Sequence, residues 1–190
     1  MQIKQIRFLL LPLLFLAACT GSENKFTVSG NISNMPEQWV YLEEMNINDL
    51  VILDSVKSDK KGSFDLNGKA PETGLYRLRF EQGKFVLLSI DKGTVKLTAD
   101  WNELENYKVA GSPSSESLRG FLGIVRNTMR DFQTMGIVID SMTARGNDSM
   151  LASAQADMKN MNVEFTRYIE QYADTTQYLP NALFAVQMLN

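Results

Sequence analysis

The sequence predicts a mainly β fold with an α-helical part: an antiparallel β-sandwich or open barrel, then a helical hairpin and a short third helix. Residues 25 to about 110 alternate between apolar and polar side chains in short runs separated by turn residues, which is typical of half-buried strands. After Gly111 the apolar spacing changes to three or four residues, the period of an amphipathic helix. This change divides the chain into a β block and a helical block.

The β block, residues 26–111, contains seven or eight predicted strands. Its apolar runs lie at 26–32, 38–44, 51–56, 64–66, 76–80, 85–90, 95–101 and 107–109. Arg77 and Arg79 alternate with apolar neighbours, so they are predicted to share one face of their strand. Gly62 ends a predicted hairpin connection, where it can adopt a positive φ. Because no segment between the strands is long enough for a helical crossover, antiparallel pairing is expected.

The helical block, residues 112–190, begins with strong start signals. Ser112 is a candidate N-cap, and Pro113 occupies the first helical position. Gly146 is a natural stop between two apolar stripes, so the two helices are predicted to form an antiparallel hairpin. Pro180 predicts the start of a third helix that continues to Asn190.

The first 18 residues predict a secretory signal peptide. Lys4 and Arg7 precede an apolar run at 8–16, and small residues follow it. The run has about half of the roughly 20 residues that a membrane-spanning helix needs. We therefore expect a cleaved leader rather than a permanent transmembrane helix.

Cys19 is the only cysteine, and it directly follows Leu16, Ala17 and Ala18. This arrangement resembles the lipobox of bacterial lipoproteins, in which the thiol is joined to a diacylglycerol and the leader is cut before the cysteine. The resemblance implies that Cys19 is the lipidation site and that 19–25 is a tether. It also implies a lipid-anchored protein of the bacterial cell envelope that faces the periplasm, with fatty acids such as palmitate on its anchor.

Composition excludes several kinds of chemistry. There is no histidine, and acylation of Cys19 would leave no free thiol, so zinc sites built from Cys and His, and Ser-His-Asp or Cys-His catalysis, are excluded. The chain has 19 basic and 22 acidic side chains; without the leader's two basic residues the balance is 17 to 22, a net charge of −5. No basic cluster suggests nucleic acid as a partner. We expect no cofactor, no metal and no catalytic residue.

Candidate binding residues are few. Glu43 and Glu44 are adjacent on a predicted strand and therefore point to opposite faces, which prevents them from forming a carboxylate pair. Four aromatic side chains are compatible either with a platform for sugars or with a sandwich core, and the sequence leaves both interpretations open. They are Trp39, Tyr41, Tyr76 and Trp101.

Five short stretches of the β block together carry a family resemblance. They are FTVSG at 26–30, KGSF at 61–64, LYRL at 75–78, DKGTV at 91–95 and VAGS at 109–112. Their order and spacing resemble the uncharacterised amino-terminal domain of Gram-negative lipoproteins of the AhpC/TSA and TlpA-like kind. In that family a helical segment follows, and then a thioredoxin-like module with a Cys-x-x-Cys site, which this chain lacks.

The resemblance implies a non-catalytic, lipid-anchored domain that positions or regulates a downstream thioredoxin-like module of a cell-envelope thiol-disulfide oxidoreductase. The alternative is a free-standing envelope lipoprotein that binds a ligand or a protein partner through its β domain. The third predicted helix has almost no polar face, because Leu183, Phe184, Val186 and Leu189 are all apolar. We therefore expect the helical segment to lead into a further carboxy-terminal module.

Overall fold

A computed structural model describes residues 24–46, 49–146 and 148–189 of the chain. The strands are β1 Lys25–Ser33, β2 Trp39–Met45, β3 Leu50–Lys57, β4 Ser63–Lys69, β5 Gly74–Phe80, β6 Phe85–Ile90, β7 Gly93–Asp100 and β8 Lys108–Ala110. The helices are a 3₁₀ helix at Trp101–Asn106, α1 at Pro113–Arg145, α2 at Asp148–Thr175 and α3 at Leu179–Gln187. The predicted leader and Cys19 lie outside the described residues.

The strands form two four-stranded sheets that pack face to face. Sheet I has the order β4-β1-β7-β8, and sheet II has the order β3-β2-β5-β6. Alternate side chains of both sheets are buried between them, which is the pattern of a sandwich core. The predicted fold class, a β-sandwich followed by a helical hairpin and a short third helix, is confirmed.

One strand pair departs from the expected antiparallel arrangement. β1 and β7 are parallel neighbours, with Phe26 opposite Gly93 and Ser33 opposite Asp100. The other strand pairs are antiparallel, as expected, and this one is parallel because five strands, β4 of sheet I and all four of sheet II, connect β1 to β7. A crossover built from strands needs no helix, so the lack of a helical pattern did not exclude a parallel pair.

Local details of the β block follow the sequence closely. Tyr76, Leu78 and Phe80 point into the core, while Arg77 and Arg79 lie on the outer face of sheet II, as predicted. Several connections use glycine in the left-handed region, and Gly62 is one of them, with a φ of 78°.

The predicted start of α1 and its predicted stop at Gly146 are confirmed, whereas the bounds of α3 differ from the prediction. The Ser112 side chain accepts the backbone N–H of Ser115 and caps α1, which runs through Gly136 without a break. Gly146 ends α1 in the left-handed conformation. The third helix begins one residue before the predicted Pro180 and ends at Gln187, so the predicted continuation to Asn190 was wrong. At the end of α3 the N–H groups of Met188 and Leu189 donate to the carbonyl oxygens three residues earlier, which is the tighter spacing of a 3₁₀ turn.

The helices cover only part of sheet II. A second apolar cluster joins the three helices, and Leu75 and Leu87 of sheet II pack against it. Its buried members are Leu118, Phe121, Val125, Ile169 and Ala185. None of the helices in the described residues lies over the rest of the outer face of sheet II, towards β2 and β3.

A buried polar network fastens the helices to the edge of sheet II. The hydroxyls of Ser114 and Ser115 donate to the carbonyl oxygen of Ser89 at 2.5 and 2.7 Å, and the Ser115 hydroxyl accepts the N–H of Ser89. On α3, the Asn181 amide donates to the Ser114 carbonyl at 2.9 Å. These bonds satisfy backbone groups at the β6 edge that would otherwise be open to another strand.

Candidate functional site

The candidate site is the uncovered outer face of sheet II, and we call its seven members the outer-face cluster. They are Trp39, Tyr41 and Glu43 of β2, Ile52 of β3, Arg77 and Arg79 of β5, and Phe85 of β6. Strand register brings them together: Glu43 lies opposite Arg77 and Ile52, while Arg79 lies opposite Tyr41 and Phe85. The register therefore places the three charged members of the cluster next to one another, and its aromatic and aliphatic members lie around them.

An ion triad occupies the centre of the cluster. The two Glu43 carboxylate oxygens accept separate hydrogen bonds, at 2.6 Å from Nε of Arg77 and at 2.7 Å from Nε of Arg79. The Glu43 side chain is only 4% exposed, whereas the two arginine side chains are 26% and 29% exposed. The carboxylate is therefore enclosed beneath two guanidinium groups that still reach solvent.

Glu43 stays ionised because of its partners. Burial by itself would raise the pKa of this carboxyl group, but the hydrogen bonds from Arg79 and Arg77 and their positive charges outweigh it, so the pKa lies below its ordinary value. The triad carries two positive charges and one negative charge at neutral pH, which leaves a net charge of +1.

Aromatic rings hold the guanidinium groups in place. The Arg79 guanidinium carbon lies 4.1 Å from the centre of the Tyr41 ring, and that of Arg77 lies 6.0 Å from the centre of the Phe85 ring. Within the described part of the chain, the hydrogen bonds of both arginines use Nε alone. Their Nη groups are thus oriented donors without a protein acceptor there.

The structure separates the four aromatic residues for which the sequence left a surface platform and a sandwich core both open. Trp39 and Tyr41 share the outer face with ring centres 6.5 Å apart, and Trp39 is 42% exposed. Tyr76 and Trp101 are buried in the sandwich core, so they cannot contact a sugar at the surface. The separation of Glu43 from Glu44 is confirmed, since Glu44 pairs with the core-facing Tyr76.

Two of the grooves formed by the described residues lie between sheet II and a helix. One, of 540 Å³, lies between β6 and α1 and contains Phe85, Leu87, Arg119 and Arg126 in its lining. The other, of 650 Å³, lies between the start of β5 and α3 and includes Leu183. The first groove continues the outer-face cluster towards three further basic residues, Lys84, Arg119 and Arg126, and one acidic residue, Glu105.

Two further features can be assessed in residues 24–46, 49–146 and 148–189: metal sites and membrane-spanning helices. No group of three or more acidic side chains in these ranges is placed to hold a metal ion. None of the helices described there is both long and apolar enough to span a bilayer. Cys19, the one predicted modification site, falls outside these ranges.

Sequence reasoning missed the ion triad of Glu43, Arg77 and Arg79. The alternation around Arg77 and Arg79 predicts that both lie on one face of their strand, but it does not predict which strand lies beside them. The position of Glu43 was the available signal. It lies two residues after Tyr41 on a predicted strand, so both side chains are expected on the same face.

The fold defines a β-sandwich domain followed by three helices, and comparison with known families gives one match. Residues 26–118 match the family model described as Domain of unknown function (DUF4369). The β block and the start of α1 are thus similar to that family, and the match provides no information on a thioredoxin-like module. No curated protein matches the chain.

Solved structures show only distant likeness. An (S)-allantoin synthase is 12% identical over 47% of this chain and 44% of its own, with a TM-score of 0.32. A DUF3823 family protein from Bacteroides uniformis ATCC 8492 is 16% identical over 39% of this chain and 40% of its own, with a TM-score of 0.28. A 9R-lipoxygenase from Cyanothece PCC8801 is 11% identical over 51% and 18%, with a TM-score of 0.30. The chain thus spans less than half the length of each of these three.

Proposed function

We propose that this chain is the non-catalytic, lipid-anchored amino-terminal domain of a cell-envelope thiol-disulfide oxidoreductase, and that it positions or regulates a thioredoxin-like module encoded after Asn190. The lipobox-like sequence around Cys19 supports the lipid anchor, and the order and spacing of the short stretches in the β block support the place of this domain before a thioredoxin-like module. The observation that carries it is an exposed apolar stripe on α3, the last described helix.

One side of α3 is covered and the other is exposed. Asn181 and Ala185 are buried against the other helices. On the opposite side, Leu179 is 69% exposed, Leu183 is 56% exposed and Val186 is 46% exposed. These three residues fall at helical spacing, so they form one continuous stripe. A stripe of this kind commonly marks an interaction surface, and a module following in the same chain would be held beside it.

We expect Leu183→Glu to separate the downstream module from this domain in the full-length protein, because it places a charge in the apolar contact. Limited proteolysis after Asn190 should become faster, and the two parts should unfold separately in calorimetry. Val163→Glu is the matched control, since Val163 is similarly exposed but lies on α2. Equal effects of the two variants would contradict the docking role of α3.

Cys19→Ser is expected to release the protein from membranes and to leave the leader uncut. The hydroxyl cannot form the thioether to diacylglycerol, and two or three acyl chains are what make such an anchor durable. Membrane fractionation and intact-mass measurement of the wild-type and variant proteins test this. If Cys19→Ser remains in the membrane fraction with the same mass as the wild type, the anchor proposal fails.

A second candidate function is a free-standing envelope lipoprotein that binds a partner through its β domain. The outer-face cluster favours it, because exposed aromatic residues and arginines concentrate there. The two candidates are distinguished by the gene beyond Asn190. A downstream Cys-x-x-Cys module supports the first, and a stop codon supports the second.

A further inference from the structure

We propose that the outer-face cluster binds an acidic segment of a protein partner, with one partner carboxylate held by Arg77 and Arg79. Apolar side chains of the partner would lie on the neighbouring Trp39 and Phe85. The inference rests on the second candidate function, partner binding by the β domain, and specifies the partner's chemistry; it requires neither the lipid anchor nor a downstream module.

The first step in the argument is charge. The Glu43 carboxylate neutralises only one of the two guanidinium groups above it. One further carboxylate would bring the site to neutrality. The groove that begins at Phe85 is lined by three basic residues, Lys84, Arg119 and Arg126, and by one acidic residue, Glu105, so an excess of positive charge continues from the triad towards α1. This local charge stands out in a chain whose net charge is −3.

The second step is orientation of the donors. The Nε atoms of both arginines are fixed by Glu43, and the Arg79 guanidinium also lies over the Tyr41 ring. Their Nη groups are therefore held in position before any ligand arrives. Guanidinium groups bind carboxylates through paired hydrogen bonds, and an already ordered side chain loses less conformational entropy on binding.

The third step distinguishes a protein partner from a small molecule. Small molecules favour concave sites, but Arg77 and Arg79 lie on the open surface of a sheet. The groove beside β6 takes in Phe85 but neither of these arginines. Tryptophan, tyrosine and arginine are enriched at protein–protein contacts, and they are the residue types collected here. Ile52 and Phe85, 56% and 53% exposed, add apolar area at the rim.

The test uses two synthetic peptides, one of alternating glutamate and leucine residues and one with glutamine in place of every glutamate. Binding to isotope-labelled protein is followed through the Nε–H signals of Arg77 and Arg79 and the indole N–H signal of Trp39. We expect the acidic peptide to shift all three signals and the glutamine peptide to bind at least about tenfold more weakly.

A conservative double variant tests the role of the guanidinium groups. R77K/R79K keeps both charges beside Glu43 but removes the planar donors, so it should weaken binding of the acidic peptide by about tenfold. Lys96→Gln is the control, because Lys96 is exposed on β7 of sheet I and its loss should leave binding unchanged. Thermal unfolding of each variant establishes that the fold is retained.

Several results would overturn the proposal. These are no shift of the three signals with the acidic peptide, equal binding of both peptides, or an equal loss of affinity in Lys96→Gln and R77K/R79K. Shifts confined to α3 would place the binding site elsewhere. Concentration-dependent broadening of the Trp39 signal without peptide, with a dimer in sedimentation, would assign the face to a second copy of this chain instead.

Discussion

Replacing Phe80 with alanine is expected to lower the free energy of unfolding by about 3–5 kcal/mol. Phe80 is completely buried between the two sheets. Its ring meets those of Trp101 and Phe64 edge-on, with centre-to-centre distances of 5.2 and 6.3 Å. The variant loses the burial of an aromatic ring, leaves a cavity and removes both edge contacts. Urea unfolding followed by far-UV circular dichroism measures the change.

Phe85→Ala is the matched control for this experiment. Phe85 lies on the strand next to that of Phe80, but it is on the outer face and 53% exposed. Its replacement should change the free energy of unfolding by only about 0.5 kcal/mol. Similar effects of the two substitutions would contradict the placement of the core between the sheets.

Most of the fold follows from short-range patterns in the sequence. Alternation along β5 correctly separates Tyr76 from Arg77, because successive strand residues point to opposite faces regardless of which strands pair. Helix boundaries at Ser112 and Gly146 were predictable for a similar reason. A cap and a left-handed glycine depend on the local backbone, and both are present in the structure.

Features that depend on distant pairing or on competing local bonds were not predictable. The parallel contact of β1 with β7 and the contact of Glu43 with Arg77 join residues far apart in the chain, and periodicity gives a face but no partner. Trp101 was expected to continue the strand before it. Instead the Asp100 carboxylate accepts the N–H of Asn102 and starts a 3₁₀ helix, although Trp101 remains buried.

Replacing Glu43 with alanine is expected to lower the free energy of unfolding by about 2–3 kcal/mol at neutral pH. The substitution leaves Arg77 and Arg79 side by side without the carboxylate between them. The loss stays below that of a fully buried ion pair because both guanidinium groups still reach solvent. Glu37→Ala is the control, since Glu37 forms an exposed ion pair with Lys57 at 2.7 Å. Its urea midpoint should be nearly unchanged.

The effect of Glu43 should also depend on pH. The arginines hold the pKa of Glu43 below its ordinary value of 4.5, so its ionised form stabilises the folded state above that pH. As the pH falls below 4.5 and through the lowered pKa of the folded state, this contribution is lost. Glu43→Gln, which cannot ionise, should therefore be less stable than the wild type at neutral pH and approach it in acid. A difference in the free energy of unfolding that stays constant from neutral pH to strong acid would show that the carboxylate charge does not stabilise the fold.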